Sequence, residues 1–417
     1  MAEAAVISPA APTPAHVPSS LVYDFDLFHD PGILTDPHTR ILEIIKNAPP
    51  IFWTPRQGGH WVLLGYSANF EAARDWEAFS SEVVPQAQIK AAMAAMPPGT
   101  PHMPQPVPIN VDPPDHTKYR MPLASPFGPK AILALKDSIR TLAVELIEKV
   151  RSQGHCEFMA AVAEPMPVRV FLKLMGLPVE RQTEYRALVK AHLSSGNEGP
   201  KEMMAKLQKI TASMRPTLLE RRENPKEDLI SMLWNLKIDG KETTMDDMED
   251  FGVLLFIAGL DTVMNGMGFG IRHLALNPDL QAKLRENPAL IPDTMEEVLR
   301  RYSFTVPPRR VAKDMVFEGV QMKSGDRAIM FLPGADLDPR QFKSPEQFDI
   351  GREETHIAFG AGPHRCLGSH LARTELQILY EEVIARMPTF RLDPAHPPVF
   401  HGGHVIGLDS LHLLWDV

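Results

Sequence analysis

The 417-residue chain has little cysteine, little tyrosine and no excess of positive charge. Its 2 cysteines, Cys156 and Cys366, exclude a disulfide framework and a cysteine-based zinc cluster, and fit a reducing cytoplasm. With 43 basic against 52 acidic residues the net charge is −9, and no basic block of nucleic-acid type occurs, so DNA and RNA are poor partners. The first twenty residues contain no Lys or Arg and no continuous apolar stretch, so neither a secretory signal nor a membrane anchor is expected there. Their Ala, Pro and Ser content predicts a disordered extension over 1–20. No linker-like stretch interrupts 21–417, which predicts a single catalytic domain and a monomer.

What is abundant is proline, 40 residues spread along the chain, which predicts long connections of the kind that shape pockets. Ile51–Thr54 and His60–Leu64, separated by a Gly58-Gly59 turn, predict a β-hairpin. Residues 86–96 read as helix, and six prolines between Pro97 and Pro108 then forbid regular structure up to Asp112. Apolar residues recur at helical spacing from Asp137 to Val150, and further helices are expected over 179–194 and 201–222. Thr244-Met245-Asp246-Asp247 reads as a capping start for one helix running to Leu276, 33 residues and roughly 50 Å long. Asp261 and Asn265 interrupt its apolar face, which argues for a buried central helix rather than a membrane span. Val311–Met330 and His404–Trp415 read as strands and turns, so the fold class is mainly α with a minor β portion.

One decapeptide carries chemistry: Phe359-Gly360-Ala361-Gly362-Pro363-His364-Arg365-Cys366-Leu367-Gly368. A cysteine that ligates haem iron must be a thiolate, and its sulfur then needs backbone N–H donors to moderate its charge. Gly360, Gly362 and Gly368 allow a loop to curl amides toward such a sulfur, because glycine tolerates positive φ and close approach. Phe359 can shield the ligand, and a helix beginning after Leu367 would bring a positive dipole end near Cys366. The segment resembles the haem-binding loop of the cytochrome P-450 monooxygenases, with Cys366 as the metal ligand.

That resemblance reaches nearly the whole chain and extends to the bacterial camphor-hydroxylase-like branch. Leu21-Val22-Tyr23-Asp24-Phe25-Asp26, Gly58-Gly59-His60-Trp61, Phe79-Ser80-Ser81-Glu82, Ala258-Gly259-Leu260-Asp261-Thr262-Val263 and Leu414-Trp415-Asp416 carry it. It implies a cytochrome P-450 fold with a long central helix over haem b, and electrons from NAD(P)H through a ferredoxin reductase and a [2Fe-2S] ferredoxin. It implies an acid–alcohol pair at Asp261 and Thr262 that supports protonation of the distal oxygen, with Ala258 leaving room above the iron. Glu297 and Arg300 match the family's Glu-x-x-Arg structural pair. Arg120, Arg309 and His364, with His116, match positions that contact the haem propionates, and Pro307 stands where the relative has an acid. The ferredoxin is expected on the Cys366 side, near Lys118, Arg120 and Arg365.

The substrate pocket implied by the resemblance is roofed by 83–111, including Met93, Met96 and Met103. Its walls are Leu254, Ile257 and Ala258, with Thr305, Val306, His404 and Val405 nearby. Such a lining suits a small terpenoid or norisoprenoid, and methionines suit imperfectly matched ligands. Residues 83–111 contain no tyrosine, whereas camphor hydroxylases use one there to bind the substrate ketone, and the loop is about ten residues longer than in that relative. Camphor is therefore not the expected substrate. A soluble cytoplasmic monooxygenase that hydroxylates or epoxidises a small hydrophobic molecule is expected. A peroxide-driven peroxygenase and a haem-based sensor or carrier are the alternatives, and neither needs Asp261-Thr262.

Overall fold

The computed structural model describes residues 7–97, 99–193 and 200–417. Helices dominate, and short strands spread from Ile51 to Trp415 form one five-stranded sheet and several smaller ones. The expected hairpin forms as Ile51–Thr54 against His60–Leu63, in antiparallel register from Ile51↔Leu63 to Thr54↔His60. Gly58 and Gly59 turn it at φ 78° and 82°, where a side chain would be strained. The hairpin becomes the edge of a five-stranded sheet. Arg327–Met330 joins His60–Leu63 in parallel, Pro308–Val311 joins next, and Phe79–Ser80 closes the far edge.

Residues 7–20, expected to be disordered, instead lie along this hairpin. Ser8 N–H donates to Asp26 Oδ2 at 2.7 Å, Gln57 N–H donates to Ser8 Oγ at 3.0 Å, and Ala11 N–H donates to the Pro55 carbonyl at 2.8 Å. Val17 is buried in the core against the sheet. Few apolar residues suffice to order a strap when its backbone donors find fixed acceptors.

The amphipathic helix expected over 137–150 extends farther, over Pro129–Arg151, because Pro129 occupies its first turn after Gly128. It packs along the helix Ser369–Arg386, and Arg140 ties the pair through Glu381 and Glu382. Gln182–Leu193 and Pro200–Glu223 are helical as expected, and the expectation for 194 lies outside the described residues.

The central segment begins with the expected cap: Asp247 N–H donates to Thr244 Oγ1 at 3.2 Å and Thr244 N–H to Asp247 Oδ2 at 2.8 Å. It is not one unbroken helix. Met245–Leu260 and Thr262–Leu276 meet at Asp261, whose φ of −121° departs from helical geometry. Met245–Leu276 is long and apolar enough to cross a membrane, yet 67% of its most apolar window is buried inside the molecule, as befits a core helix. Gly259 and Gly268 permit that burial. A Cβ on Gly259 would sit 2.5 Å from the Phe171 ring, and one on Gly268 would sit 2.7 Å from Met159 Sδ.

Candidate active site

The cysteine loop is held by its own backbone. Cys366 N–H donates to the Phe359 carbonyl at 2.8 Å, and Arg365 N–H donates to the Gly362 carbonyl at 3.1 Å. Gly360 and Gly362 take φ of 68° and 64°. At Gly362 a second reason appears, since an added Cβ would lie 2.2 Å from the Ala73 carbonyl oxygen. The helix Ser369–Arg386 starts immediately after the loop, with Gly368 at its N-cap. Burial pushes the Cys366 thiol up, while the Gly368 amide and Arg120, Arg365 and Arg373 oppose that rise. The donor set and the positive surround therefore favour a thiolate once burial is offset by a metal. Phe359 lies under Arg373, whose guanidinium carbon is 4.5 Å from the ring centroid.

Beside this loop four cationic or imidazole groups converge with little to neutralise them. The His116 and His364 rings are 4.4 Å apart, and Nε2 of each is buried with no hydrogen-bond partner. Arg309 is buried, and among the described residues its guanidinium bonds only the Pro308 carbonyl, at 2.7 Å. Arg120 donates to the Arg365 carbonyl. The one nearby carboxylate is Asp112, whose Oδ1 is 4.0 Å from His364 Nε2. Burial, with the charges of Arg309, His116 and Arg120, drives the His364 pKa down to about 2. Burial lowers His116 to about 4 and Arg309 to about 10. Orphaned buried donors around an uncompensated positive centre are what two haem propionates would satisfy. The residues fit the group: Cys366 as axial thiolate, with Arg120, Arg309, His116 and His364 available to its carboxylates.

Above this floor the helix break brings Asp261 and Thr262 to one turn. Asp261 is buried, yet its carboxylate accepts from Arg186 Nη1 at 3.0 Å and from Asn265 Nδ2 at 3.2 Å. Arg186 also reaches Glu164 Oε2 at 3.2 Å, so a chain of charge runs from the more exposed Glu164 to Asp261. The Thr262 hydroxyl donates to the Ala258 carbonyl at 3.2 Å, one turn earlier. Such back-bonding to the i−4 carbonyl loosens a helix locally. Ala258 is exposed toward the open side of this turn.

Glu297 and Arg300 lie on Ile291–Arg301 and are both buried. Two bonds of 2.7 Å join them, and Arg300 also donates to the carbonyls of Asp336 at 2.8 Å and Pro345 at 3.0 Å. Arg352 and the Asp349 amide donate to Glu297 from the segment that leads into the cysteine loop. A fully hydrogen-bonded buried pair of this kind resists separation, because removing one partner strands a charge.

Of the pocket residues, Thr305, His404 and Val405 come together through a short bridge, Thr305↔Val405, reinforced by Val306 N–H donating to the His404 carbonyl at 2.8 Å. Val306 is 0% exposed and belongs to a core cluster with Val62, Ile329 and Ile406. Leu254 lies on the central helix one turn before Ala258, and Ile257 immediately precedes Ala258. Met93 lies in the last turn of the helix Gln86–Ala94, which has no buried residue, and Met96 and Met103 are half-buried in the loop that follows.

Arg186, Glu164 and Asp112 escaped sequence reasoning. Arg186 stands 75 residues before its partner Asp261 and carries no local motif, and Asp112 is legible only as the start of a helix cap.

Comparison with known proteins agrees with this geometry. The cytochrome P450 family model matches residues 185–400. The chain is 35% identical to a probable cytochrome P450 127A1 of Sinorhizobium fredii over 414 residues, covering 97% of each. It is 30% identical to a steroid C26-monooxygenase of Mycolicibacterium smegmatis, covering 84% of this chain and 86% of that one. The crystal structure of CYP101J2 superposes with a TM-score of 0.85 at 33% identity, covering 98% of this chain and 100% of that one. The chain is a haem-thiolate monooxygenase and belongs to the cytochrome P450 family.

Proposed function

We propose that this monooxygenase hydroxylates or epoxidises a small hydrophobic molecule of the terpenoid or norisoprenoid class, using NAD(P)H electrons delivered by a ferredoxin reductase and a [2Fe-2S] ferredoxin. Cys366 would hold the haem through its thiolate, and the bound group would supply two-electron activation of O2. The protein's own residues supply protons, exclude water and hold the substrate. The carrying observation is the buried Asp261 carboxylate, paired with Arg186 and adjacent to Thr262. Asp261 can release Arg186 and turn inward with a proton gained by way of Glu164, while Thr262 gives up its bond to the Ala258 carbonyl and holds the proton-bearing water. Arg120, Arg309, His116 and His364 anchor the group's carboxylates, and Glu297 with Arg300 braces the cysteine loop from behind.

The substrate class follows from the walls. Leu254, Ile257, Ala258 and Val405 offer hydrocarbon, and the polar groups among them are already engaged. Thr305 Oγ1 donates to the Ala358 carbonyl at 3.4 Å, and His404 Nδ1 lies 3.0 Å from the Val306 carbonyl. A pocket with so few free polar groups selects by shape. The relative named for steroid C26 oxidation supports an apolar, ring-containing substrate, and the absence of tyrosine in 83–111 separates it from camphor. Lys118 is committed to Asp115 at 2.9 Å and Asp239 at 2.7 Å, which leaves Arg365 as the stronger candidate contact for the ferredoxin.

A spectral screen of small terpenoids, norisoprenoids and aromatics for the low-to-high-spin shift tests the substrate class. Reconstitution with ferredoxin, reductase and NADH tests the electron source. Full turnover on hydrogen peroxide alone would favour the peroxygenase instead.

A further inference from the structure

The loop from Gly99 to Asp112 makes turn bonds of its own, such as Ile109 N–H to the Pro106 carbonyl at 2.9 Å, but its prolines remove the amides from which a ladder would be built, so ties from outside help to set its position. One of these ties runs through His102. His102 Nε2 lies 2.7 Å from Asp250 Oδ1, and the Gln105 amide donates to the same oxygen at 2.7 Å. The His102 side chain is only 8% exposed and that of Asp250 16%. The other imidazole nitrogen, Nδ1, is buried without a hydrogen bond, 3.7 Å from Asp246 Oδ2. Both carboxylates stand in the first turns of the central helix Met245–Leu260. The tie propagates outward. Asn110 Nδ2 donates to Gln105 Oε1 at 3.0 Å, and Gln86 Nε2 donates to the Asn110 carbonyl at 3.1 Å, at the start of the helix that carries Met93.

The charges acting on this imidazole are negative. Asp246, Glu249 and Asp250 come from the central helix, with Glu249 itself paired to Arg215 of Pro200–Glu223. Tyr119, from Asp115–Ala124, approaches Asp250 from the other side. A neutral imidazole could satisfy Asp250 with one N–H, but an imidazolium also neutralises a carboxylate that burial makes costly to keep ionised.

We propose that His102 is a positioning residue that docks the 99–112 loop onto the central helix through Asp250, so that closure of the roof over the substrate depends on its imidazolium. The proposal rests on reading this loop as the pocket roof. Burial alone would lower the His102 pKa, but the Asp250 bond and the charges of Asp250, Asp246 and Glu249 together raise it above 6.5. A group whose pKa is raised on docking contributes stability that is complete below about 6.5 and is lost as pH climbs through the raised value.

Amide hydrogen exchange on the haem-loaded full chain, normalised for the intrinsic pH dependence, reads the docking without any substrate. In the native protein, protection at Gln105 and Val107 is expected to fall by about tenfold or more between pH 6 and 9, as suits loss of a charged hydrogen bond. His102→Gln keeps a donor for Asp250 but cannot titrate, so its protection should be independent of pH. His102→Ala should be poorly protected at both. Protection in the native protein that ignores pH, or that His102→Ala leaves intact, would overturn the proposal even where the haem spectrum is normal. A changed haem spectrum with the exchange pattern preserved would instead count against the functional assignment.

Discussion

Arg186 donates to Asp261 across 3.0 Å, so the acid that adjoins Thr262 in the chain is held by a cation. Asp261 must exchange that partner to serve Thr262. Asp261→Asn should keep the fold and substrate binding but lower kcat by about 10²-fold or more, as expected when a positioned proton donor is lost. The solvent isotope effect on kcat should rise with it. An unchanged kcat would remove Asp261 from proton delivery.

Among the described residues the Thr262 hydroxyl bonds only the Ala258 carbonyl, so its removal should be tolerated structurally. Thr262→Ala is expected to consume NADH while releasing hydrogen peroxide, with product yield per NADH falling severalfold. Product and peroxide measured side by side check this, and a preserved yield contradicts the role.

Arg300→Ala leaves Glu297 buried with only Arg352 and one amide facing it. Breaking a buried pair costs about 3–5 kcal/mol, so haem content and thermal midpoint should both drop sharply. Arg352→Ala should have a smaller effect, since it keeps the 2.7 Å bonds between Glu297 and Arg300. Equal effects of the two substitutions would argue against the ranking.

Gly362→Ala meets both a φ of 64° and the Ala73 carbonyl, and should disturb the cysteine loop. Strain of this type is worth about 1–3 kcal/mol before the steric clash is added. Gly360 has open space around it at φ 68°, so Gly360→Ala should retain more haem. The ratio of Soret to protein absorbance in the purified variants makes the comparison.

Glu296 couples the loop to acid stability. Burial would raise its pKa, but Arg373 and His356 overcome that and hold it at about 2, below the ordinary 4.5. A depressed carboxylate contributes stability above about 4.5 that is lost as pH falls toward 2. Haem retention should therefore decline through that window, and Glu296→Gln should flatten the decline while lowering retention at pH 7.

Much of the site was legible because it is local in sequence. The glycines and Cys366 lie within ten residues, Asp261 adjoins Thr262, and Glu297 is three residues from Arg300 on one helical face. The hairpin and the central cap were legible for the same reason. What escaped depends on distant chain segments. The parallel pairing of His60–Leu63 with Arg327–Met330 and the Arg186–Asp261 pair have no local signature. The break at Asp261 follows from side-chain demands that periodicity does not record, and the order of residues 7–20 comes from acceptors on the hairpin.

The account turns on Cys366 as the axial thiolate. The absorption spectrum of the reduced, carbon monoxide-bound protein tests it most directly, measured on the native chain and on Cys366→His. The native protein should show the red-shifted Soret band of thiolate ligation, and the variant should lose that band while keeping haem. A native band at the position of protonated thiol or histidine ligation, or a thiolate band surviving in Cys366→His, would contradict it.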